Sequence, residues 1–352
     1  MDPLTLESAA LSADGRSLVI LDQTLLPGEV RYLSLTETED IVEAIRALRV
    51  RGAPAIGVAA AYGLYLAAQR LDAEDMDQFL SGLRQAAETL NGARPTAVNL
   101  SWALSRMLGA AEQNRALPVA QVKALLRREA DAIRTEDIAI SREIGRLGLG
   151  LLRPGDGILT HCNAGTLATA KYGTALAPIY AALEAGRTDL RVYCDETRPL
   201  LQGARLTAFE LQSAGVDTTL ICDNMASITM ARGRVDIVFV GCDRVCANGD
   251  FANKIGTSGV AILAKHYGIP FYVCAPSSTI DMGLARGEEI PIEERPPEEV
   301  TQLWYAHRMA PAGVKVDNPA FDVTDHGLVT GFITEKGIAY PPFDKAFRDF
   351  GF

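Results

Sequence analysis

The pattern of hydrophobic and polar positions changes near residue 150. Before this point, apolar residues recur at helical spacing in long segments. After it, short β-branched apolar runs alternate with helical segments. The second pattern is typical of a mostly parallel sheet covered by helices. We therefore predict a smaller, mainly helical α+β domain followed by an α/β domain.

The N-terminal part begins with two strand-like runs, SLVILDQ and EVRYLSL, and is then helical. We predict helices in TETEDIVEAIRALRV, in APAIGVAAAYGLYLAAQRL and at about 75–91, 97–113 and 118–149. The second helix is almost entirely apolar and has Pro54 near its first turn, which indicates a buried helix. The helix at about 118–149 is long and charged on several faces. We predict that it links an N-terminal domain, 1–125, to a C-terminal domain, 126–352.

Five apolar runs predict the strands of the C-terminal sheet: GILTHC, LRVYCDE, VDTTLICD, VDIVFVGCD and IPFYVCAP. Ligands of such sheets bind beyond the carboxyl ends of the strands. Polar or reactive residues collect at these ends, so we expect a site there. The strand ends read Cys162-Asn163, Asp195-Glu196, Asp223-Asn224, Cys242-Asp243 and Ala275-Pro276.

The stretch THCNAGTLATAKYG places Cys162 between a strand and a predicted helix. Backbone amides at a helix start bind anions, and the helix dipole favours a thiolate, so Cys162 is a candidate reactive thiol. Thr166 is a candidate cap for this helix. The alternative is a small buried side chain at a strand end. His161 adjoins Cys162 but points to the opposite face, which disfavours a Cys–His protease pair.

The stretch VGCDRVCANGDFANKIGT places Asp243 directly after an apolar strand, at the same edge of the sheet. Asn253 and Lys254 precede a predicted helix and suit a phosphate, since one offers amide hydrogens and the other a positive charge. Each has an alternative. Asp243 is also compatible with a structural cap or an ion pair with Arg244, and Lys254 with an exposed surface position.

In DETRPLLQGARLTAFEL, Gln202 lies near a helix start and is a candidate hydrogen-bond partner for sugar hydroxyls. The neighbouring Asp195, Glu196 and Arg198 are interpreted as an ion-pair cluster that fixes the loop.

The predicted N-terminal domain offers two candidate phosphate ligands. Arg51, Gly52 and Ala53 lie between two predicted helices, where free amides and a guanidinium could bind phosphate. Arg94, in the loop NGARPT, could supply a second guanidinium. Taken alone, each arginine is also compatible with an ordinary helix linker.

Composition narrows the function. The 352 residues are 48% hydrophobic and carry a net charge of −10, which argues against binding nucleic acid. We find no run of 18 apolar residues and no signal-peptide pattern at the start. We therefore expect a cytoplasmic protein with free cysteines. The lone C-x₃-C of Cys242 and Cys246 lacks a second pair, which argues against zinc. A G-x-G-x-x-G or Walker A motif is also missing.

The quoted blocks, together with NPAFDVT and LVTGFITEKGI, resemble the signature blocks of the methylthioribose-1-phosphate isomerase family over nearly the whole chain. The wider superfamily contains ribose-1,5-bisphosphate isomerases and regulatory subunits of translation initiation factor two-B. The resemblance implies a Rossmann-like C-terminal domain, a homodimer and a role in methionine salvage. It also implies isomerisation of 5-methylthioribose 1-phosphate to 5-methylthioribulose 1-phosphate without metal, nucleotide or other cofactor.

The resemblance also assigns roles to residues. It implies catalytic roles for Cys162 and Asp243. The substrate-binding residues that it implies are Arg51, Gly52, Ala53, Arg94, Gln202, Asn253 and Lys254. One departure is Cys242, where the family leads us to expect alanine; this adds a thiol beside the predicted chemistry.

Alternatives remain open. Isomerases of ribose 1,5-bisphosphate or 5-deoxyribose 1-phosphate would use the same chemistry, and a regulatory scaffold would use none. A second phosphate needs further cations near C5, whereas the segment after Arg51 is apolar. A scaffold has no need for Cys162 and Asp243 at one edge of the sheet.

Overall fold

The computed structural model describes residues 3–94 and 97–352. Two residues of the NGARPT loop, 95 and 96, and the first two residues of the predicted N-terminal domain lie outside these ranges. The chain forms two compact units. One comprises the residues up to Ser141 together with Gly165–Gly173, and the other comprises Arg142–Ala164 with Thr174–Phe352. The domain limits 1–125 and 126–352 stay a prediction, while the compact units divide further along the chain, after Ser141.

The N-terminal unit begins with an antiparallel sheet in the order β1-β2-β3, formed by Ala9–Leu11, Leu18–Leu21 and Tyr32–Leu35. Five helices follow: α1 Thr38–Arg46, α2 Ala53–Arg70, α3 Met76–Asn91, α4 Val98–Gln113 and α5 Val119–Leu149, within which the units divide. The predicted helices are confirmed.

Helix α2 forms the centre of the N-terminal unit. Its residues from Ala55 to Ala68 are all buried, so the helix is enclosed on every side, as its apolar composition predicts. Helix α3 is amphipathic instead and is capped by Asp75, whose side chain accepts a hydrogen bond from the Gln78 amide.

The C-terminal unit contains a seven-stranded sheet and a four-stranded sheet. The elements from β4 to β9 are β4 Gly157–Thr160, α6 Ala177–Glu184, β5 Arg191–Asp195, α7 Ala208–Ser213, β6 Asp217–Ile221, α8 Ala226–Ala231, β7 Ile237–Val240, β8 Arg244–Cys246 and β9 Phe251–Lys254. The remaining elements are α9 Thr257–Tyr267, β10 Phe271–Cys274, β11 Ile280–Asp281, α10 Glu298–Thr301, β12 Phe321–Thr324, β13 Gly331–Thr334, β14 Gly337–Ala339 and α11 Phe343–Asp349.

The larger sheet has the order β14-β13-β10-β7-β4-β5-β6. All neighbouring pairs are parallel except β13 and β14. The central strands β4 and β7 are buried along their whole length, which explains their continuous apolar runs. The predicted Rossmann-like α/β fold is confirmed.

The smaller sheet, in the order β11-β8-β9-β12, was not predicted. Strands β8 and β9 form an antiparallel hairpin, and β9 also pairs with β12, which comes almost 70 residues later. In the described part of the chain, no helix is both long and apolar enough to cross a membrane.

Gly157 provides a test of the packing in the C-terminal unit. An added Cβ would lie 1.8 Å from the Arg234 carbonyl oxygen. The backbone there is held in place by the Asp236 amide, which donates to the Gly157 carbonyl at 2.7 Å. We expect Gly157→Ala to lower the free energy of unfolding by about 3 kcal/mol or more, measured by urea denaturation. The matched control is Gly259→Ala in α9, where no atom lies within 4 Å of the new Cβ. It should leave stability unchanged or raise it by about 0.5 kcal/mol. Equal urea midpoints for the two variants would contradict this account.

Candidate active site

Strands β4 and β7 are neighbours in the larger sheet although about 80 residues separate them in sequence. From β4 the chain continues outward to β5 and β6, and from β7 it continues outward in the other direction to β10. This is the topological switch point of the sheet, where ligands of doubly wound folds bind beyond the strand ends. Cys162 follows the end of β4, and Asp243 follows the end of β7.

The two segments that carry Cys162 and Asp243 are in direct contact. Leu159 pairs with Val238 in the parallel register of β4 and β7. Beyond the strands, Gly241 lies so close to Ala164 that an added Cβ would sit 2.8 Å from the Ala164 Cβ. The structure therefore brings together the two loops that were predicted to hold the catalytic groups.

The backbone of Cys162 is left-handed, with φ of +64°. This conformation costs about 1–2 kcal/mol for a residue with a Cβ, so the surroundings must hold it. Two threonines do so. The Cys162 amide donates to Thr197 Oγ1 at 2.9 Å, and Thr207 Oγ1 donates to the Cys162 carbonyl at 2.6 Å. Thr197 is itself left-handed, with φ of +63°. Strained backbone of this kind clusters at functional sites.

A buried polar network supports the residue after Cys162. Asn163 Nδ2 donates to Glu210 at 2.9 Å, and the Tyr180 hydroxyl donates to the other oxygen of the same carboxylate at 2.8 Å. Glu210 is fully buried. A carboxylate in this position is stable only with such donors, so the network fixes the turn that carries the thiol.

The segment that follows Cys162 corrects one prediction. It forms a short 3₁₀ turn, Thr166–Ala168, whose N-cap is Gly165, and the next α-helix, α6, begins only at Ala177. The prediction that an α-helix with anion-binding amides begins directly after Cys162 is therefore wrong. The reason is that this segment leaves the sheet, and Gly165–Gly173 belongs to the N-terminal unit. There the Ala170 amide donates to Asp137 at 2.6 Å.

Asp243 is half-buried, and its amide donates to the Ala252 carbonyl at 2.9 Å, which ties it to strand β9. The neighbouring Arg244 lies 3.6 Å from Asp281, which is one ionic partner of this arginine.

The thiol of Cys242, which the family resemblance did not lead us to expect, contacts Thr279. Thr279 Oγ1 donates to the Pro276 carbonyl, so the Cys242 thiol is the donor in its 3.3 Å contact with Thr279 Oγ1. Burial raises the pKa of Cys242 to about 12. The hydrogen bond with Thr279 opposes this shift, and the nearby charge of Asp243 adds to it. The thiol therefore stays protonated at neutral pH.

We accordingly expect Cys242→Ala to keep kcat and KM within roughly twofold of the wild type, because the substitution removes a thiol that takes no part in proton transfer. The rates should be measured from about pH 6 to about pH 9. A loss above tenfold, or an altered pH profile, would place Cys242 in the reaction instead.

Asn253 and Lys254 lie on strand β9, shortly before helix α9 begins at Thr257; the sequence predicted the helix but not the strand. Asn253 Nδ2 donates to Thr257 Oγ1 at 3.0 Å. Lys254 Nζ donates to the Ala320 carbonyl at 2.7 Å and lies 4.3 Å from the centre of the Phe321 ring. These bonds hold a half-buried ammonium group in a fixed position, which suits an anion site.

The start of helix α9 is already occupied. Asp322 accepts hydrogen bonds from the Gly256 amide at 2.8 Å and from the Ser258 amide at 3.2 Å. Burial raises the pKa of Asp322 against these bonds. A phosphate at this helix start would compete with a carboxylate, so the ammonium group of Lys254 is the better candidate ligand.

Gln202 is buried, and its Oε1 has no hydrogen-bond partner among the described residues. It directly precedes a π-helical turn, Gly203–Thr207, a local irregularity that is frequent at functional sites. A buried amide oxygen without a donor is costly unless a ligand or water supplies one. The carbonyl group of Gln202 is therefore suited to accept a sugar hydroxyl.

The predicted ion-pair cluster of Asp195, Glu196 and Arg198 is wrong for Asp195 and Arg198. Asp195 is hydrogen-bonded to His161 at 2.9 Å. Arg198 donates to the Val300 carbonyl at 2.8 Å. The sequence missed these partners because they are distant in the chain.

The predicted ligands of the N-terminal unit lie at helix ends. Gly52 caps α2 with φ of +94°, and an added Cβ would lie 2.5 Å from the Ala168 backbone, so only glycine fits. Arg51 Nε donates to Gln23 at 3.2 Å, and the buried Gln23 donates to the Leu167 carbonyl at 2.7 Å. Gln23 was missed because nothing near it in sequence marks it.

Two further predicted ligands complete this set. Ala53 is the first residue of α2, and the half-buried Arg94 lies between α3 and α4.

Two clusters in the described residues have donor sets that resemble metal sites: His161 with Asp195 and Asp223, and Asp250 with Asp325 and His326. Hydrogen bonds already engage many of the donor atoms. Both ring nitrogens of His161 are engaged, and Asp250 accepts bonds from His326, Asn248 and Gly287. Asp195 Oδ1 is buried and has no hydrogen-bond partner among the described residues.

Comparisons with known proteins agree with this architecture. The Initiation factor 2 subunit family matches residues 49–341. A methylthioribose-1-phosphate isomerase of Symbiobacterium thermophilum is 63% identical over 99% of this chain and 96% of its own. A 5-deoxyribose 1-phosphate isomerase of Clostridium botulinum is 54% identical over 93% of each chain. The crystal structure of 5-methylthioribose 1-phosphate isomerase from Pyrococcus horikoshii superposes with a TM-score of 0.92 at 44% identity, covering 99% of this chain and 97% of that one. The family model matches most of this chain, and a methylthioribose-1-phosphate isomerase is 63% identical to it over almost its whole length. This chain therefore belongs to the Initiation factor 2 subunit family and is an isomerase.

Proposed function

We propose that the chain converts 5-methylthioribose 1-phosphate to 5-methylthioribulose 1-phosphate, a step of methionine salvage. The observation that carries this proposal is the contact between the Cys162 and Asp243 loops at the switch point of the sheet. The support from comparison is the 63% identity with a relative of that name.

The substrate sets the chemical problem. Phosphate on the anomeric oxygen prevents the simple ring opening of a free sugar, so the ring oxygen must first be made a better leaving group. We assign this step to Asp243, which gives a proton to the ring oxygen as the bond from C1 to that oxygen breaks. The C4 hydroxyl forms, and positive charge develops at C1.

A hydrogen then moves from C2 to C1. In one form it moves as a hydride, and the C2 hydroxyl gives its proton to the Asp243 carboxylate that the first step left, as the carbonyl forms. In the other form a base removes the C2 proton, and the resulting enol is protonated at C1 while its C2 hydroxyl gives its proton to the same carboxylate and becomes the carbonyl. Cys162 serves this step, either as the proton carrier or by shielding and polarising the two carbons. Deuterium at C2 that is fully retained at C1 would support the first form, and exchange with water would support the second.

The remaining site residues bind the substrate. We assign the phosphate to the cationic and amide groups of Arg51, Gly52, Ala53, Arg94 and Lys254. Asn253 and Gln202 are assigned to polar groups of the sugar phosphate. The fixed ammonium group of Lys254 and the donor-free oxygen of Gln202 support these roles.

The second candidate substrate is 5-deoxyribose 1-phosphate, which carries a methyl group in place of the methylthiomethyl end. The observation that favours it is the 54% identity with relatives of that name. Ribose 1,5-bisphosphate is less well suited, because helix α2 after Arg51 is apolar and offers no second cation cluster.

The test is a turnover assay with the three sugar phosphates side by side, in the presence of a chelator, with ketose formation as the signal. We expect kcat/KM to be highest for the methylthio sugar and unchanged by the chelator. A preference for the 5-deoxy sugar would make 5-deoxyribose 1-phosphate the substrate. A preference for the bisphosphate would reject an apolar group at C5 of the substrate. No turnover of any of the three sugars would reject the proposed function.

A cytoplasmic homodimer is part of the same proposal. Light scattering of the purified protein measures the mass in solution, and a monomeric mass of 37.8 kDa would reject the dimer.

A further inference from the structure

His161 is buried at the end of β4, one residue before Cys162, and its ring reaches two distant segments. Nδ1 lies 2.9 Å from Asp195 Oδ2, at the end of β5. Nε2 lies 2.8 Å from the carbonyl oxygen of Ile255, directly after Lys254. The side chains of His161 and Asp195 are 1% and 0% exposed, so water does not compete for these bonds.

The two contacts indicate how many protons His161 and Asp195 hold between them. The Ile255 carbonyl can only accept, so Nε2 carries a hydrogen. The short contact between Nδ1 and Asp195 also needs one proton, since two lone pairs at this distance would repel. Burial lowers the His161 pKa, but the hydrogen bond and charge of Asp195 and the Ile255 carbonyl outweigh it and raise the pKa overall. The pKa of Asp195 is also raised, in this case by burial. The raised pKa values of both groups favour keeping the proton that His161 and Asp195 share.

The ring also fills a defined space. An added Cβ at Gly256 would lie 2.7 Å from His161 Cε1, so the imidazole occupies the position that a side chain at residue 256 would need. Two other charged groups interact with this ring. The charge of Asp223 raises the pKa of His161, and the charge of His161 lowers the pKa of Asp322. The amides of Thr197 and Arg198 satisfy Asp223, and those of Gly256 and Ser258 satisfy Asp322.

We propose that His161 is a positioning residue whose two ring N–H groups join the three segments that carry the predicted site residues of the C-terminal unit. These segments are its own turn with Cys162, the β5 loop that leads from Asp195 to Gln202, and the turn after Asn253 and Lys254. The proposal rests on the proposed function, since it concerns the alignment of the same site.

The left-handed backbone of Cys162 explains why such a residue is needed. The conformation is held by Thr197 and Thr207, and Thr197 lies on the loop that Asp195 anchors. Loss of the His161 ring would remove the side-chain link between the end of β4 and Asp195 and weaken the constraint on Cys162. A displacement of about 1 Å in a catalytic group costs about 100-fold in rate.

The first experiment compares His161→Phe with Asp195→Asn. Phenylalanine fills the ring volume without donors, and we expect kcat to fall about 100-fold at a temperature where the variant is fully folded by circular dichroism. Asparagine can still donate to Nδ1 of a neutral imidazole while Nε2 keeps its bond to Ile255. Asp195→Asn should therefore retain kcat within roughly fivefold. The control is His266→Phe on the exposed face of α9, which should not change kcat.

The second readout does not need turnover. Cys162 is half-buried and Cys222 is exposed, so native alkylation followed by peptide mass analysis gives two rates in one sample. His161→Phe should change the Cys162 rate several-fold and leave the Cys222 rate unchanged.

The outcomes separate the two proposals. If the wild type turns over no sugar phosphate, the proposed function fails, while the alkylation ratio still tests the role of His161. A folded His161→Phe protein with wild-type kcat and alkylation ratio would overturn the positioning role. So would an Asp195→Asn protein as slow as His161→Phe, because charge and not hydrogen-bond geometry would then be the cause.

If His161→Phe does not fold, the wild type provides the test. The chain has four histidines, so nitrogen NMR of the labelled rings can be assigned by substituting the other three. We expect the His161 ring to lose its second proton at a higher pH than an ordinary histidine, which titrates near pH ~6.5, because Asp195 and the Ile255 carbonyl both contact its ring nitrogens. A His161 ring that titrates at or below the pH of an ordinary histidine would overturn the proposal.

Discussion

Asp243→Asn is expected to lower kcat about 1,000-fold or more while the protein stays folded. Asparagine has the same shape but no acidic proton, and positioned acid catalysis contributes about 10²–10⁴-fold. The substitution leaves the amide bond to Ala252 intact, so the hairpin of β8 and β9 should keep its structure. The measurement is kcat at saturating substrate, together with the thermal unfolding temperature.

The control for this variant is Asp281→Asn. Asp281 is a half-buried carboxylate on the same small sheet, 3.6 Å from Arg244. Its loss removes a partly exposed ion pair, which contributes little, so kcat should stay within roughly twofold. Similar rates for Asp243→Asn and Asp281→Asn would show that Asp243 is not the acid.

Cys162→Ser is expected to lower kcat by about 100-fold or more without a change in thermal stability. Serine accepts the same left-handed backbone and leaves both threonine hydrogen bonds in place, because these involve the backbone of residue 162. What is lost is the more acidic and polarisable sulfur. The rate should be measured with the methylthio sugar and the 5-deoxy sugar, so that a change of substrate is not mistaken for a loss of chemistry.

Cys222→Ser is the matched control, because Cys222 is exposed and follows the outer strand β6. Alkylation of the wild type should abolish turnover at the rate at which Cys162 is labelled, and substrate should slow both. Turnover that survives complete labelling of Cys162 would remove the thiol from the reaction.

The small sheet shows where local pattern fails. The strand that carries Asn253 and Lys254 has only four residues, and the helical segment that follows is longer and more regular. Local spacing therefore predicted the helix α9 but not the short strand that precedes it. This segment is a strand because it pairs with β12, almost 70 residues later. The residues of β12 supply hydrogen bonds to the backbone of β9.

The helix prediction for the segment after Cys162 was wrong for a related reason. Its composition is compatible with a helix, but the amides of Thr174 and Leu176 both bond to the Ala164 carbonyl, which closes a loop at the strand end. This loop carries Gly165–Gly173 into the N-terminal unit, where Gln23 and Asp137 bind its backbone. Such bonds form between residues about 30 or more than 140 positions apart and leave no local signal.

The sequence by itself determined the two classes of structure and five strands of the larger sheet. Short apolar runs that alternate with helical segments and are followed by polar residues indicate buried parallel strands, whose carboxyl ends place Cys162 and Asp243 at one edge of a sheet. The tertiary structure alone decided that β4 and β7 are neighbours, that His161 bonds to Asp195, and that Thr197 and Thr207 hold Cys162. The physical reason is that strand order and buried hydrogen bonds depend on which distant segments exclude water together, and a local pattern of residues does not contain this information.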